Sequence, residues 1–217
     1  VFHRFLTAAA VAGLAALIQV APVAGQETAA SAESTSIATA DAPSVVIQRY
    51  YDALNQVMVD AEQLGFEGRY DILEPVVRET FNMPFIASFT TGRYWGDMTP
   101  QEQERATEAV LHLSTATYAA RFDKYSGEQF EIIDESETER GDLLVNTNII
   151  DSKGKPVAIN YVMRENGGAW RIVDVFLDGT ISELATRRSE FTSVLRRQGY
   201  DGLISAIDRK VEQLKSE

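Results

Sequence analysis

Residues 143–177 read LLVNTNIIDSKGKPVAINYVMRENGGAWRIVDVFL. Apolar and polar positions alternate through much of this stretch. Val157, Ile159, Tyr161 and Met163 fall on one side; Ala158, Asn160, Val162 and Arg164 fall on the other. A repeat of two sends successive side chains to opposite faces of a strand. Strands are therefore predicted at Leu143–Ile150, Val157–Arg164 and Trp170–Leu177, with another before them at Gln129–Asp134. Asp151-Ser152-Lys153-Gly154 and Asn166-Gly167-Gly168 supply turns short enough for antiparallel hairpins. Trp170–Leu177 is apolar on both sides, which predicts a central place in the sheet and leaves its inward face open.

Upstream the period changes to that of a helix. Ile47, Tyr50, Leu54, Val57, Met58, Ala61 and Leu64 recur every three or four residues, one face of a helix over Ser44–Leu64. Asp41 or Ser44 can cap it, with Pro43 in the tolerated first turn. Gly65 and Gly68 break it. A second helical stretch is predicted from Arg69 to Phe81, and a short one from Asn82 to Phe89. Thr99-Pro100-Gln101-Glu102 is a capping box opening a helix to about Tyr125, with Ala106, Val110, Leu113, Ala116, Thr117 and Ala120 as its buried stripe. Downstream, Thr180-Ile181-Ser182-Glu183 is a second such pattern, opening a helix through Phe191 and Leu195 that Gly199 stops. A last helix carries Leu203, Ile204, Ile207, Val211 and Leu214. Helices, then a meander, then helices make an α+β domain over residues 43–217, with helices on one face of a curved, mainly antiparallel sheet of about four strands.

The N-terminus reads differently. A short basic start at His3 and Arg4 precedes an apolar run from Phe5 to Val20 and small residues at Ala21, Val23, Ala24 and Gly25. That order predicts a cleaved secretory signal over residues 1–25, too short for a membrane-spanning helix. Residues 26–42 are rich in Ala, Ser and Thr and predict a flexible leader. The expected location is the periplasm. The chain has no cysteine, which excludes thiolate metal sites, cysteine nucleophiles and a lipoprotein anchor at the cleavage position. A formal charge of −12 argues against nucleic acid and against polybasic docking on anionic lipid. Removing Arg4 with the signal makes it more negative still.

Few residues carry chemistry. His112, flanked by Leu111 and Leu113, reads as a structural or surface histidine. No phosphate loop, Gly-x-Ser-x-Gly elbow or metal-ligand spacing is present. Asp174, mid-strand, with Tyr161 on the strand before it, could form a general-base pair of the kind found in cone-shaped enzymes. The alternative is a structural carboxylate that accepts hydrogen bonds from a neighbouring helix start. The Arg187/Arg188 and Arg196/Arg197 pairs fit an acidic partner or plain solvated helix faces. The aromatics Phe81, Phe85, Phe89, Tyr94, Trp95, Tyr118 and Phe122 precede the sheet and could line an apolar cavity against it.

Three stretches together resemble the MlaC family of periplasmic phospholipid-binding proteins, also known for toluene tolerance. They are Thr99-Pro100-Gln101-Glu102-Gln103-Glu104-Arg105 with Tyr118 and Tyr125-Ser126-Gly127-Glu128-Gln129-Phe130; Trp170-Arg171-Ile172-Val173-Asp174-Val175 with Gly179 and Ser182; and Phe191 to Leu203. Phe122-Asp123-Lys124-Tyr125 and Asp178-Gly179-Thr180-Ile181-Ser182 are similar to its hopanoid-associated HpnM branch. The resemblance implies a cone-like, NTF2-like fold enclosing an apolar pocket. It implies a monomer with no cofactor and no catalytic motif, carrying a phospholipid or a hopanoid. It also implies partners: an inner-membrane ABC transporter complex with an MCE-domain subunit, and an outer-membrane lipoprotein–porin complex. Phe85, Phe89, Tyr118, Phe122, Val157, Ile159, Tyr161, Met163, Val173 and Val175 are the candidate pocket residues. Moving two bare acyl chains through water costs on the order of 20 kcal/mol, at about 0.8 kcal/mol per CH₂, so a carrier must enclose them. An enzyme using Asp174 and Tyr161, and an interaction subunit whose cavity is filled by its own side chains, are the competing expectations.

Overall fold

The computed structural model describes residues 41–216. The predicted signal segment and the leader up to residue 40 lie outside them. The described residues fall in one compact unit.

The sheet is an antiparallel meander in the order β1-β2-β3-β4-β5: Gln129–Glu137, Leu143–Ile150, Pro156–Asn166, Ala169–Leu177 and Ile181–Ser182. Local turn chemistry sets its register. Gly167 (φ 63°) and Gly168 (φ 81°) form a two-residue turn between the paired Asn166 and Ala169, where both central residues need positive φ. In the β2–β3 turn, Asp151 Oδ1 accepts from the amides of Lys153 at 2.8 Å and Lys155 at 2.9 Å. Ile133 on β1 and Val173 on β4 are left unpaired by register shifts. Such bulges bend a strand and raise its twist, which curves the sheet.

β4 is not central. Among the described residues it has no strand partner on its outer side beyond Phe176 and Leu177. That edge is instead covered by a helix junction: the Asn82 amide donates to Ile172 O at 2.9 Å, and Phe81 bridges Ile172 in parallel. The Val173 bulge explains the strand's two apolar sides, because Ile172 and its neighbour Val173 are both buried.

The helices are α1 Pro43–Val59, α2 Ala61–Thr80, α3 Met83–Thr91, α4 Pro100–Arg121 and α5 Glu183–Lys215, with a 3-10 turn at Gly92–Asp97. The predicted break at Gly65 is real: φ 59° kinks α2 there, whereas Gly68 stays helical. Gly199 (φ 68°) divides α5 in the same way. The capping box at Thr99 and Glu102 forms as the local pattern predicts. α4 stops earlier than expected, at Arg121, where Phe122 leaves helical geometry and packs against Phe130 with ring centroids 6.4 Å apart.

Two caps differ from expectation. α1 is capped by neither Asp41 nor Ser44: its N-cap is Ala42, and the Ser44 amide donates to Glu135 Oε1 of β1 at 2.9 Å. Asp41 instead pairs with Arg49. At α5 the cap is Ser182, not Thr180, and Ser182 Oγ accepts from the Ala185 amide at 2.9 Å. Thr180 lies in a tight turn with Asp178 and Gly179 that pairs β5 onto β4.

α1, α2, α4 and the later part of α5 supply most of the helical core. Arg69, 8 % exposed, ties two elements together: Nε donates to Ala119 O at 2.8 Å and Nη1 to Ala61 O at 3.2 Å. Buried donors without such acceptors would cost about 1–3 kcal/mol each.

Candidate functional site

The concave side of the sheet is set by register. Tyr161 pairs with Val145 and Val175, Ile159 with Thr147 and Leu177, and Met163 with Leu143 and Ile172. Paired residues share a face. Against that face lies a cluster of aromatic rings. Tyr50 meets Phe81 at 5.4 Å, Tyr118 at 5.5 Å and Tyr161 at 6.2 Å, all edge to face. Tyr51 lies 4.5 Å from Phe130 and 5.8 Å from Tyr161. Edge-on packing matches the positive rim of one ring to the negative face of the next.

Tyr51 ties the cluster to the sheet through Thr147. The Thr147 hydroxyl bonds to the Ile159 carbonyl, which can only accept, so Thr147 donates there. Tyr51 must then donate to Thr147. Burial raises the Tyr50 and Tyr161 phenols well above their ordinary range and pushes Tyr51 up to about 12. All three are neutral donors at any physiological pH.

Tyr118 and Phe81 are also walls of a cavity of about 40 Å³ between β4, the α2–α3 junction, α4 and the start of α5. Ile86, Val173, Val175 and Leu184 complete its apolar lining. Its polar side is made by Ser114, Asp174, Glu183 and Arg187. Arg187 Nη1 donates to Ser114 Oγ at 3.1 Å, and Glu183 lies 3.6 Å from Arg121.

Asp174 does structural work. Oδ1 accepts from the amides of Val175 (2.7 Å) and Leu184 (3.0 Å), and Oδ2 from the Ser182 hydroxyl (2.6 Å). It holds the first turn of α5 onto β4. Burial raises its carboxyl above the ordinary value, against the pull of these donors. Register pairs Asp174 with Val162 and Tyr161 with Val175, so the two project from opposite faces and form no acid–base pair. His112 is exposed, with its ring stacked on Tyr70 and Nδ1 bonded to the Tyr70 hydroxyl. Among the described residues, no group of three or more His, Asp and Glu is placed to hold a metal ion. No described helix is long and apolar enough to cross a membrane.

The sequence candidates separate into groups. Tyr118, Val173 and Val175 line the cavity. Ile159, Tyr161 and Met163 are buried on the concave face behind it. Val157 and Phe122 are half-buried at its far end, Phe122 against Phe130. Phe85 and Phe89 are not among the cavity's lining residues; they pack on each other at 5.9 Å beneath Arg164 and Arg188, each 4.4–4.6 Å from a ring centre. Tyr50, Tyr51 and Phe130 also belong to the cluster, although on α1 and β1 their spacing marks them only as ordinary core positions. The adjacent Arg187 and Arg188 diverge, one to the cavity and one over Phe89.

Comparison with known proteins agrees with this architecture. A solved structure of the phospholipid-binding protein from Ralstonia solanacearum, in complex with a phospholipid, superposes with a TM-score of 0.70 at 21% identity, covering 81% of this chain and 99% of that one. The "Intermembrane phospholipid transport system binding protein MlaC" of Haemophilus influenzae is 25% identical over 182 residues, 79% of this chain and 83% of that protein. The family model described as "MlaC protein" matches residues 48–209, most of the chain. The chain belongs to the MlaC family.

Proposed function

We propose that this chain is a phospholipid-binding transport protein of the periplasm, taking acyl chains between the concave face of its sheet and its helices. The observation that carries the reading is the cavity: apolar walls that run into the aromatic cluster, with charge confined to one side. Ligand clefts for compounds of drug size span about 300–1,000 Å³. At about 40 Å³ this cavity has room for only a few water molecules. Acyl chains must therefore part the walls. In this reading they enter beside Tyr118 and Val175 and spread Tyr50, Tyr118 and Tyr161, and packing of ring on hydrocarbon replaces packing of ring on ring.

The names of the two relatives support phospholipid as the cargo class. We place the chain as a shuttle between an outer-membrane lipoprotein–porin complex and an inner-membrane ABC transporter with an MCE-domain subunit. The stretches similar to the HpnM branch make a hopanoid the alternative cargo. Asp174, with both oxygens engaged in holding α5, is not available as a base, which leaves carriage favoured over catalysis.

Mass spectrometry of lipids extracted from protein purified from its own envelope without detergent tests the reading. Near-stoichiometric phospholipid is expected. A stoichiometric hopanoid would move the cargo to the narrower branch. Empty protein that also fails to load from vesicles would overturn carriage.

A further inference from the structure

The charged groups on the polar side of the cavity are not equivalent. Asp174 is saturated by three hydrogen bonds. Glu183 faces Arg121 at 3.6 Å. Arg187 is different: among the described residues its guanidinium has a neutral partner, Ser114 Oγ at 3.1 Å, and no carboxylate within ion-pair distance. The Ser114 hydroxyl donates its own proton to Val110 O at 2.8 Å, so its lone pair is turned to Arg187 and holds the side chain in place. A guanidinium carries five N–H donors in a planar fork. With one spent on Ser114, the remainder match the two non-bridging oxygens of a phosphodiester, the group that sits where the acyl chains of a phospholipid end.

We infer that Arg187 is the headgroup anchor: it takes the phosphodiester of a diacyl phospholipid at the cavity mouth and thereby selects phospholipid over uncharged lipids of the same hydrocarbon content. The inference rests on the carrier reading above. An uncharged lipid, a diacylglycerol or a hopanoid without a phosphate, fills the apolar walls equally well but offers the guanidinium no anionic oxygens to bind. A charge-assisted bidentate contact is strong enough to separate the two classes by about tenfold or more.

The test loads delipidated protein, from cyclodextrin, with dioleoylphosphatidylglycerol or with dioleoylglycerol, which differ only in the headgroup. Retained lipid is counted by mass spectrometry. Wild type should hold the phospholipid about tenfold better. Arg187→Gln should bring that ratio near one, Arg187→Lys should fall between, and Ser114→Ala should narrow the ratio with Arg187 still present. A ratio near one in wild type, or an unchanged ratio in Arg187→Gln, overturns the anchor. So does loss of both lipids from an Arg187→Gln protein that melts as wild type does, since Arg187 would then be shaping the cavity rather than reading the headgroup. Wild type that takes neither lipid overturns the carrier reading and the anchor with it. Inorganic phosphate supplies the last arm: at millimolar concentration it should leave the melting temperature of delipidated wild type unmoved, and a rise that Arg187→Gln abolishes would make this a free-phosphate site instead.

Discussion

Asp174 joins two elements through three hydrogen bonds in a half-buried setting, and its chemistry is that of a clamp. Asp174→Ala leaves the Leu184 amide and the Ser182 hydroxyl without their acceptor, and should cost about 2 kcal/mol in denaturant unfolding. The pH dependence has a definite sign. The raised native pKa means the folded protein holds this proton more tightly than the unfolded chain does. The resulting stability is full below the ordinary aspartate value and is lost as pH rises through the raised native one. Asp174→Asn removes that dependence, so the fall in unfolding free energy across this window should be shallower than in wild type; an unchanged slope would place the dependence elsewhere. Tyr51→Phe removes the hydroxyl that donates to Thr147 across the helix–sheet interface and should destabilise by about 1 kcal/mol.

At the scale of elements, legibility in the sequence follows the range of the interactions that decide each feature. The β2, β3 and β4 strands are legible to within two residues because alternation and turn chemistry are local. The cap at Thr99 is legible because both partners lie within four residues. The cap of α1 is not, since the acceptor for its Ser44 amide, Glu135, comes from a strand 91 positions away. β5 is hidden because two residues carry no period. α3 is visible, but Met83–Thr91 is apolar on most sides, so its period cannot say that Phe85 and Phe89 face arginines rather than the cavity. Gly199, expected as a stop, is a kink inside α5 held at φ 68°. Gly199→Ala forces a Cβ into the left-handed region and should lower stability by about 1 kcal/mol, read as a shift in denaturant midpoint at constant slope. Thr99→Ala should cost a similar amount, as N-cap losses do.

For the whole molecule, lipid carriage requires that walls now packed together can separate. The candidate pocket is partly legible in the sequence: Tyr118, Val173 and Val175 sit at the cavity, and the β3 face carrying Ile159, Tyr161 and Met163 turns inward. Phe81, at the α2–α3 junction, is also among the aromatics the sequence offers; what the sequence does not supply is the contribution of α1, whose Tyr50 and Tyr51 meet the sheet only through long-range packing. Ile86→Trp places an indole in a cavity of about 40 Å³. It should reduce retained lipid at least tenfold, measured by native mass spectrometry, while the cost of overpacking stays within about 1–3 kcal/mol.

Photo-crosslinking reads the location of the cargo itself. Benzoylphenylalanine replaces Ile86, at the cavity wall, or Ile133, 54% exposed on the β1 bulge. Each protein is loaded with phospholipid, irradiated and mapped by mass spectrometry. Adducts on acyl carbons at position 86 and none at position 133 are the expected result. Acyl adducts at 133 with none at 86, in a protein shown to be loaded, would place the lipid outside the cavity and contradict carriage between sheet and helices.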